Sequence, residues 1–353
     1  MSPRARPFAL LALLVGLLAL VAAGCGDEEE GGGGTSGGQS EEKTYKIGVS
    51  NTLVGNGWRE EMICAVKAQS LASGQVDEVL VHNVNGDASA QIAGIRNLIS
   101  SGANAIVINP ADREALNPVI KEAAARDIVV VAVDQAVTAP EAYVVTNDQV
   151  EYGRLGAQWL VDHLGGKGNI VEMRGISGVP ADDDRHKGFM EVIEANPGMK
   201  VVKETFTDWS FAPAGKQAND ILNSNTPVDA IWTSGIDYVV VDALKKAGQE
   251  DVPVIGADNN KFLEQLKEGA PGAAVTNPAA IGGVGTAIAL AALNGEEPEK
   301  VTTLTPEVWD METAKDKIEQ FYDPELPPTY SSQMIVEPYT TYTQEQLTGC
   351  QGP

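Results

Sequence analysis

Residues 129–134 read Val-Val-Val-Ala-Val-Asp. An unbroken apolar run of β-formers has no polar face, so both sides of this strand must be covered, as in a parallel sheet packed between helices. Asp134 ends the run. The pattern repeats outward from this point. Upstream, the spacing predicts a helix from about Arg113 to Ala125 and a buried strand at Ala105–Ile108. Before these come a helix from Ala88 to Ser100, a strand at Glu78–His82, a helix from about Gly57 to Ala72 and a first strand at Tyr45–Ser50. Downstream, Tyr143–Thr146 completes the half, and the rhythm restarts with a helix from about Val150 to Leu164. Strands at Ile170–Met173, Val201–Thr205, Ala230–Thr233, Val254–Gly256 and Ala273–Thr276 then alternate with helices, the last running from about Pro278 to Leu293. Strands alternating with helices at this spacing build βαβ units, so the fold class is α/β with two lobes in series. The tail from Thr302 to Pro353, rich in Pro and Tyr, reads as strand and loop.

The N-terminus is of another kind. Arg4 and Arg6 precede an apolar run from Phe8 to Ala23, which closes as Leu-Val-Ala-Ala-Gly-Cys at 20–25. The run is too short to be a stable membrane span and has the layout of a secretory signal. With Cys25 directly after Ala-Gly it resembles the bacterial lipoprotein signal, which implies a lipid on Cys25 and a protein anchored outside the cytoplasm, periplasmic or on the outer cell surface. An acidic run at Asp27–Glu30 and a Gly/Ser stretch at Gly31–Gly38 follow. Such a segment has nothing apolar to bury, so residues 25–44 read as a tether. If Cys25 carries lipid, Cys64 and Cys350 remain, and in an oxidising compartment two cysteines suggest one disulfide; the alternative is a buried free Cys64 with a dangling Cys350.

The formal charge is −24, from 49 acidic and 25 basic side chains. A chain this acidic is repelled by nucleic acid and by anionic headgroups, which argues against a nucleic-acid partner; solubility accounts for the excess. The chain is long enough for about two domains.

In open parallel sheets, ligands bind beyond the carboxyl ends of the strands. That rule selects Asn56, Trp58 and Arg59 after the first strand, Asp134 and Gln135 after the fourth, and Arg185 beyond the Ile170 strand. It also selects Trp209, Asp237, Asp258, Asn259 and Asn277 after later strands. Asp, Asn, Arg and Trp dominate, and no Ser or Cys stands beside a base, so the candidates suit binding better than catalysis. Signals for cofactors and metals are weak. Gly282-Gly283-Val284-Gly285 lies inside an apolar helical pattern, where close helix packing explains it better than a dinucleotide loop. Gly165-Gly166-Lys167-Gly168 lacks P-loop spacing. His82, His163 and His186 are scattered, and Asp182–Asp184 reads as the charged N-terminus of a helix rather than a metal cluster.

Several stretches together resemble the periplasmic sugar-binding proteins of ABC transporters, the branch that includes the ribose- and galactose-binding proteins. They are Tyr-Lys-Ile-Gly-Val-Ser at 45–50, Val-Ile-Asn-Pro-Ala-Asp at 107–112, Val-Val-Ala-Val-Asp-Gln at 130–135, Thr-Asn-Asp at 146–148, Arg-His-Lys-Gly-Phe at 185–189 and Val-Ile-Gly-Ala-Asp at 254–258. The resemblance implies two Rossmann-like parallel-sheet lobes joined by a three-crossing hinge, the type I periplasmic binding protein fold. The lobes would be residues 45–147 with 278–301, and 148–277 with 302–353. It implies a monomer that captures a monosaccharide or polyol, without a cofactor, and delivers it to a membrane permease driven by a cytoplasmic ATPase. Asn56 and Trp58 match the family's ring-contacting loop, with Arg59 where a second aromatic is common. Asp134 matches a hydroxyl-binding Asp, with Gln135 in place of an Arg. Arg185, Trp209, Asp258 and Asn277 fall on family binding positions, and Asp237 stands one residue beyond the expected Asn-Asp pair. Two other roles are compatible with the chain: a receptor that presents its ligand to a membrane sensor, and an extracellular glycosidase using Asp134 and Asp258.

Overall fold

The computed structural model describes residues 44–224 and 226–353. The signal, Cys25 and all but the last residue of the tether lie outside the described residues.

The first lobe begins with β1 (Tyr45–Asn51), α1 (Gly57–Ser73), β2 (Val76–Asn83), α2 (Ala88–Ser100), β3 (Ala105–Ile108), α3 (Asn117–Ala124), β4 (Val129–Asp134) and β5 (Tyr143–Asn147). The chain then builds the second lobe from α4 (Gln149–His163), β6 (Gly168–Arg174), α5 (Pro180–Ala195), β7 (Met199–Phe206) and α6 (Phe211–Leu222). It continues with β8 (Ala230–Thr233), α7 (Tyr238–Ala247), β9 (Val254–Ala257), α8 (Asn260–Lys267) and β10 (Gly272–Val275). It returns to the first lobe for α9 (Ile281–Leu293) and β11 (Val301–Leu304), then crosses again for β12 (Val308–Trp309) and α10 (Lys315–Phe321). A short helix, α11 (Gln344–Thr348), lies near the end.

The two sheets have one plan. The first has the order β2-β1-β3-β4-β5-β11 and the second β7-β6-β8-β9-β10-β12. All pairings are parallel except β10 with β12. In each sheet the order reverses beside the first strand, between β1 and β3 and between β6 and β8. That is the switch point, where loops on either side diverge and leave a crevice. The apolar runs behave as their composition requires. Val131 and Val133 pack toward α1 and α9, while Val130 and Ala132 pack toward α2 and α3. The second sheet is likewise covered on both faces, by α4 and α5 on one side and by α6, α7 and α8 on the other.

The glycines of α9 are packing surfaces. A Cβ on Gly282 would stand 2.3 Å from the Met62 carbonyl oxygen of α1, and one on Gly285 would stand 2.4 Å from the Val133 side chain of β4. Asp182 and Asp183 lie in the first turn of α5, as their charge suggests.

The structure departs from the sequence reading in the tail. Residues 302–304 do not belong to the second lobe: they continue the first sheet as β11, paired in parallel with β5. The tail also holds helix, in α10 and α11. After α10 the chain crosses back to the first lobe, adding a fourth passage to the three of the hinge, because Met334, Tyr342 and Leu347 bury against Ala65 and Ala68 of α1. Cys350 arrives beside Cys64, their Cα atoms 4.6 Å apart, within the span a disulfide bridges.

Candidate functional site

The site forms where the strand-end loops of the two lobes face each other. In the first lobe, Asn56 caps α1: its side-chain oxygen accepts from the Arg59 amide at 3.1 Å, as an N-cap residue does. Its Nδ2 donates across the cleft to the Trp209 carbonyl at 3.1 Å. The Trp58 indole N–H donates to the Asn277 carbonyl in the hinge at 2.6 Å. Arg59 is buried and donates to Asn51 Oδ1 at 3.0 Å, with its guanidinium 6.0 Å from the centroid of the Trp209 ring. Burial pulls its pKa down to about 10; Asp134 opposes this and Arg185 adds to it.

Asp134 sits at the end of β4 with φ +67°, in the left-handed region that non-glycine residues adopt at a cost. The hinge helix holds it there: Gln149 Nε2 donates to its Oδ1 at 2.8 Å and to its carbonyl at 3.1 Å.

In the second lobe, Asp208 and Trp209 both have positive φ, +53° and +48°. This turn lays the indole over Gly175, where a Cβ would stand 2.2 Å from the ring. The indole N–H donates to the Ser234 carbonyl at 2.9 Å. With both indole N–H groups satisfied by backbone, Trp58 and Trp209 present their faces. Arg185 comes from α5 with Nε on Gln149 Oε1 at 2.7 Å and Nη1 on the Ser234 carbonyl at 3.0 Å, and it lies 4.1 Å over the Tyr152 ring. Its Nη2 has no acceptor among the described residues. Asp258 is fully buried, accepting from the Asn277 amide at 2.8 Å and from the Ser332 hydroxyl at 3.0 Å. Burial still lifts its pKa above the ordinary value, against these hydrogen bonds.

These groups line one cleft with about 550 Å³ of empty space, part of it open to solvent. Of the residues selected from the sequence, Asn56, Trp58, Arg59, Asp134, Arg185, Trp209, Asp258, Asn259 and Asn277 line it, and Gln135 and Asp237 do not. Gln135 is instead a cross-lobe brace: its Nε2 donates to Asn109 Oδ1, and its Oε1 accepts from the Ala181 amide at 3.1 Å. Asp237 turns inward and caps α7, accepting from the amides of Tyr238 and Ala257 and from the Asn259 side chain. Burial, partly offset by these donors, pushes its pKa up to about 6. A carboxylate with its acceptor sites used by its own lobe has little left for a ligand.

The cavity also takes residues the strand-end rule missed. Leu53 and Phe211 add apolar wall, Ser234 adds polar groups, and Thr329 and Ser331 reach it from the tail. Thr329 and Ser331 follow no strand of either sheet, so nothing local marked them. Two guanidinium groups face two carboxyl groups in a space walled by two indoles and a phenyl ring. Such a lining balances charge and combines flat apolar faces with many hydrogen-bonding atoms, which matches an uncharged polar molecule better than an anion or cation. Among the described residues no group of His, Cys, Asp and Glu is arranged to hold a metal.

A family model described as a periplasmic binding protein domain matches residues 47–297. The xylitol-binding protein of Mycolicibacterium smegmatis is 30% identical over 290 residues, 79% of this chain and 78% of that protein. The ribose import binding protein of Bacillus subtilis is 25% identical over 264 residues, 73% of this chain and 85% of that protein. Among solved structures, an ABC transporter solute binding protein from Thermobispora bispora is 29% identical with a TM-score of 0.75, covering 82% of this chain and 90% of that one.

Proposed function

The chain belongs to the periplasmic binding protein domain family, and from that premise we propose that it captures a monosaccharide or a related polyol between its lobes and delivers it to an ABC permease in the membrane. The family is one of transport binding proteins, and the chain is not an enzyme. The observation that carries the solute class is the cavity lining: two indole faces and a charge-balanced ring of Arg59, Arg185, Asp134 and Asp258. A sugar or polyol offers C–H surface to the indoles and hydroxyls to the polar groups. In this reading Asp134 and Asp258 accept from hydroxyls, Arg185 donates through Nη2, and Asn277 serves as a hinge contact. The xylitol and ribose bound by the relatives named above are of the same chemical class. Ligand favours lobes drawn together, since only then do both lobes contact it, and the permease reads that state. The protein acts as a monomer outside the cytoplasm, held to the membrane by lipid on Cys25, and an oxidised Cys64–Cys350 pair ties its tail to α1.

A thermal-shift screen of residues 43–353 against pentoses, hexoses, pentitols and inositols tests this. A solute present at about 100 times its Kd adds about 2.7 kcal/mol of stability, so the expected result is a clear rise in Tm with one of them. A folded protein free of co-purified ligand that responds to no carbohydrate or polyol sinks the assignment.

A further inference from the structure

The fourth passage between the lobes does more than return the tail. After α10 the chain is tied to the start of α8. The Asn260 side chain donates to the carbonyls of Asp323 (2.7 Å) and Leu326 (3.1 Å). The amides of Asn260 and Lys261 donate to the carbonyls of Tyr330 (2.8 Å) and Pro328 (3.0 Å), and the Ser332 amide donates to the Asp258 carbonyl at 2.9 Å. The first N–H groups of a helix have no partner inside it, so these tail carbonyls complete α8.

The same few residues also grip the first lobe. The Ser331 amide donates to Glu61 Oε2 of α1 at 2.7 Å. Glu61 is fully buried and its other carboxyl oxygen has no partner among the described residues, an arrangement too costly for a residue that only fills space. Thr329 rests on the backbone at the start of α1: a Cβ on Gly57 would stand 1.7 Å from its hydroxyl oxygen and 2.4 Å from its Cβ. Thr329 and Ser331 line the cavity from this position. Beyond Ser332 the chain is moored to the first lobe through Met334, Tyr342 and Leu347.

We propose that residues 327–332 form a clasp across the two lobes, supplying one wall of the solute site through Thr329 and Ser331 and setting how tightly the lobes shut. The proposal rests on the solute-binding reading above. Lobe separation must break the Ser331–Glu61 hydrogen bond and lift Thr329 from Gly57, or else strip the clasp from α8.

The test uses the full-length chain, Gly57→Ala and the double variant Gly57→Ala/Thr329→Gly. Amide hydrogen exchange is followed across 326–334, and affinities for xylitol and ribose are measured by calorimetry. Alanine at 57 has no room beneath Thr329, so exchange of the hydrogen-bonded amides of Tyr330, Ser331 and Ser332 should quicken and affinity should fall roughly tenfold or more. Removing the Thr329 side chain from the same variant should restore slow exchange, because the clash is gone, while affinity stays low, because the site has lost that part of its wall. A Gly57→Ala variant matching the unaltered chain in both readouts overturns the clasp, as does a double variant whose exchange stays fast. If the unaltered chain binds neither of these nor any other carbohydrate or polyol of the screen, the solute reading is what fails. The exchange measurement then still decides the clasp: slow exchange at 330–332 released by Gly57→Ala supports it, and fast exchange in the unaltered chain overturns it.

Discussion

Asp134 shows how much a single position carries. It ends an apolar strand, adopts a left-handed backbone, and keeps its carboxylate at the cavity while Gln149 holds it in place. Asparagine tolerates the same backbone region, so Asp134→Asn should fold. It removes the charge that strengthens hydrogen bonds from solute hydroxyls, worth about 1.5–3 kcal/mol. Affinity for the solute found in the screen should therefore drop about 10- to 100-fold by calorimetry; an unchanged Kd would remove Asp134 from the site. Asp237 is the contrasting residue. The sequence presents it, like Asp134, as an acid after a strand, but its carboxylate serves the amides of its own lobe. Nothing local separates the two, because the difference lies in which way the chain turns next.

At the scale of elements, the position of Arg185 depends on how α4 and α5 pack. The two helices meet backbone to backbone: a Cβ on Gly153 would stand 1.9 Å from the Arg185 carbonyl oxygen, and one on Gly188 would stand 1.8 Å from that of Val150. Alanine is the better helix former by up to about 1 kcal/mol. A clash with main chain has no side-chain rotation to relieve it, so overpacking of about 1–3 kcal/mol outweighs that gain. Gly153→Ala should lower the urea midpoint and, by moving Arg185, weaken solute binding as well. Stability lost with affinity intact would show that α5 can shift without carrying its arginine away. The helices were legible as helices because their apolar spacing is local. Their close approach was not, since only the partner helix explains why each needs a glycine.

For the whole molecule, buried acids set the response to pH. Burial raises the carboxyl pKa values of Glu61, Glu172, Asp182 and Asp258, and pushes Asp237 up to about 6. An unfolded chain ionises such groups at their ordinary values, so in between the folded state binds more protons and stability falls as pH rises. His186, raised by its hydrogen bond to Glu172, acts in the same direction, its contribution being lost as pH rises through its folded value. Asp112, Glu264 and Asp310, held below the usual carboxylate range, lose their contribution only in more acid solution. Calorimetry at pH 5.5 should therefore give a higher Tm than at pH 7.5; the reverse order would mean these acids are more solvated than their burial implies. The tail has its own test. Cys64 and Cys350 lie 286 residues apart in sequence, so a bond between them would restrict the unfolded chain strongly. Cys350→Ser should cost about 2–4 kcal/mol, read as a lower denaturant midpoint, and reductant should lower that of the unaltered chain alike. No difference in either comparison would mean that the thiols are free.

By itself the sequence determined the α/β class, the two lobes and about half of the cavity lining. These follow from unbroken apolar strands, helical spacing and the polar residues that end each strand, all features of neighbours along the chain. Tertiary structure alone decided the rest. It turned Gln135 into a brace and Asp237 into a cap, moved residues 302–304 to the first sheet, and brought Thr329 and Ser331 from the tail into the site. Each of those outcomes depends on which surfaces meet after the chain has travelled tens to hundreds of residues, and no local pattern of charge or hydrophobicity encodes that meeting.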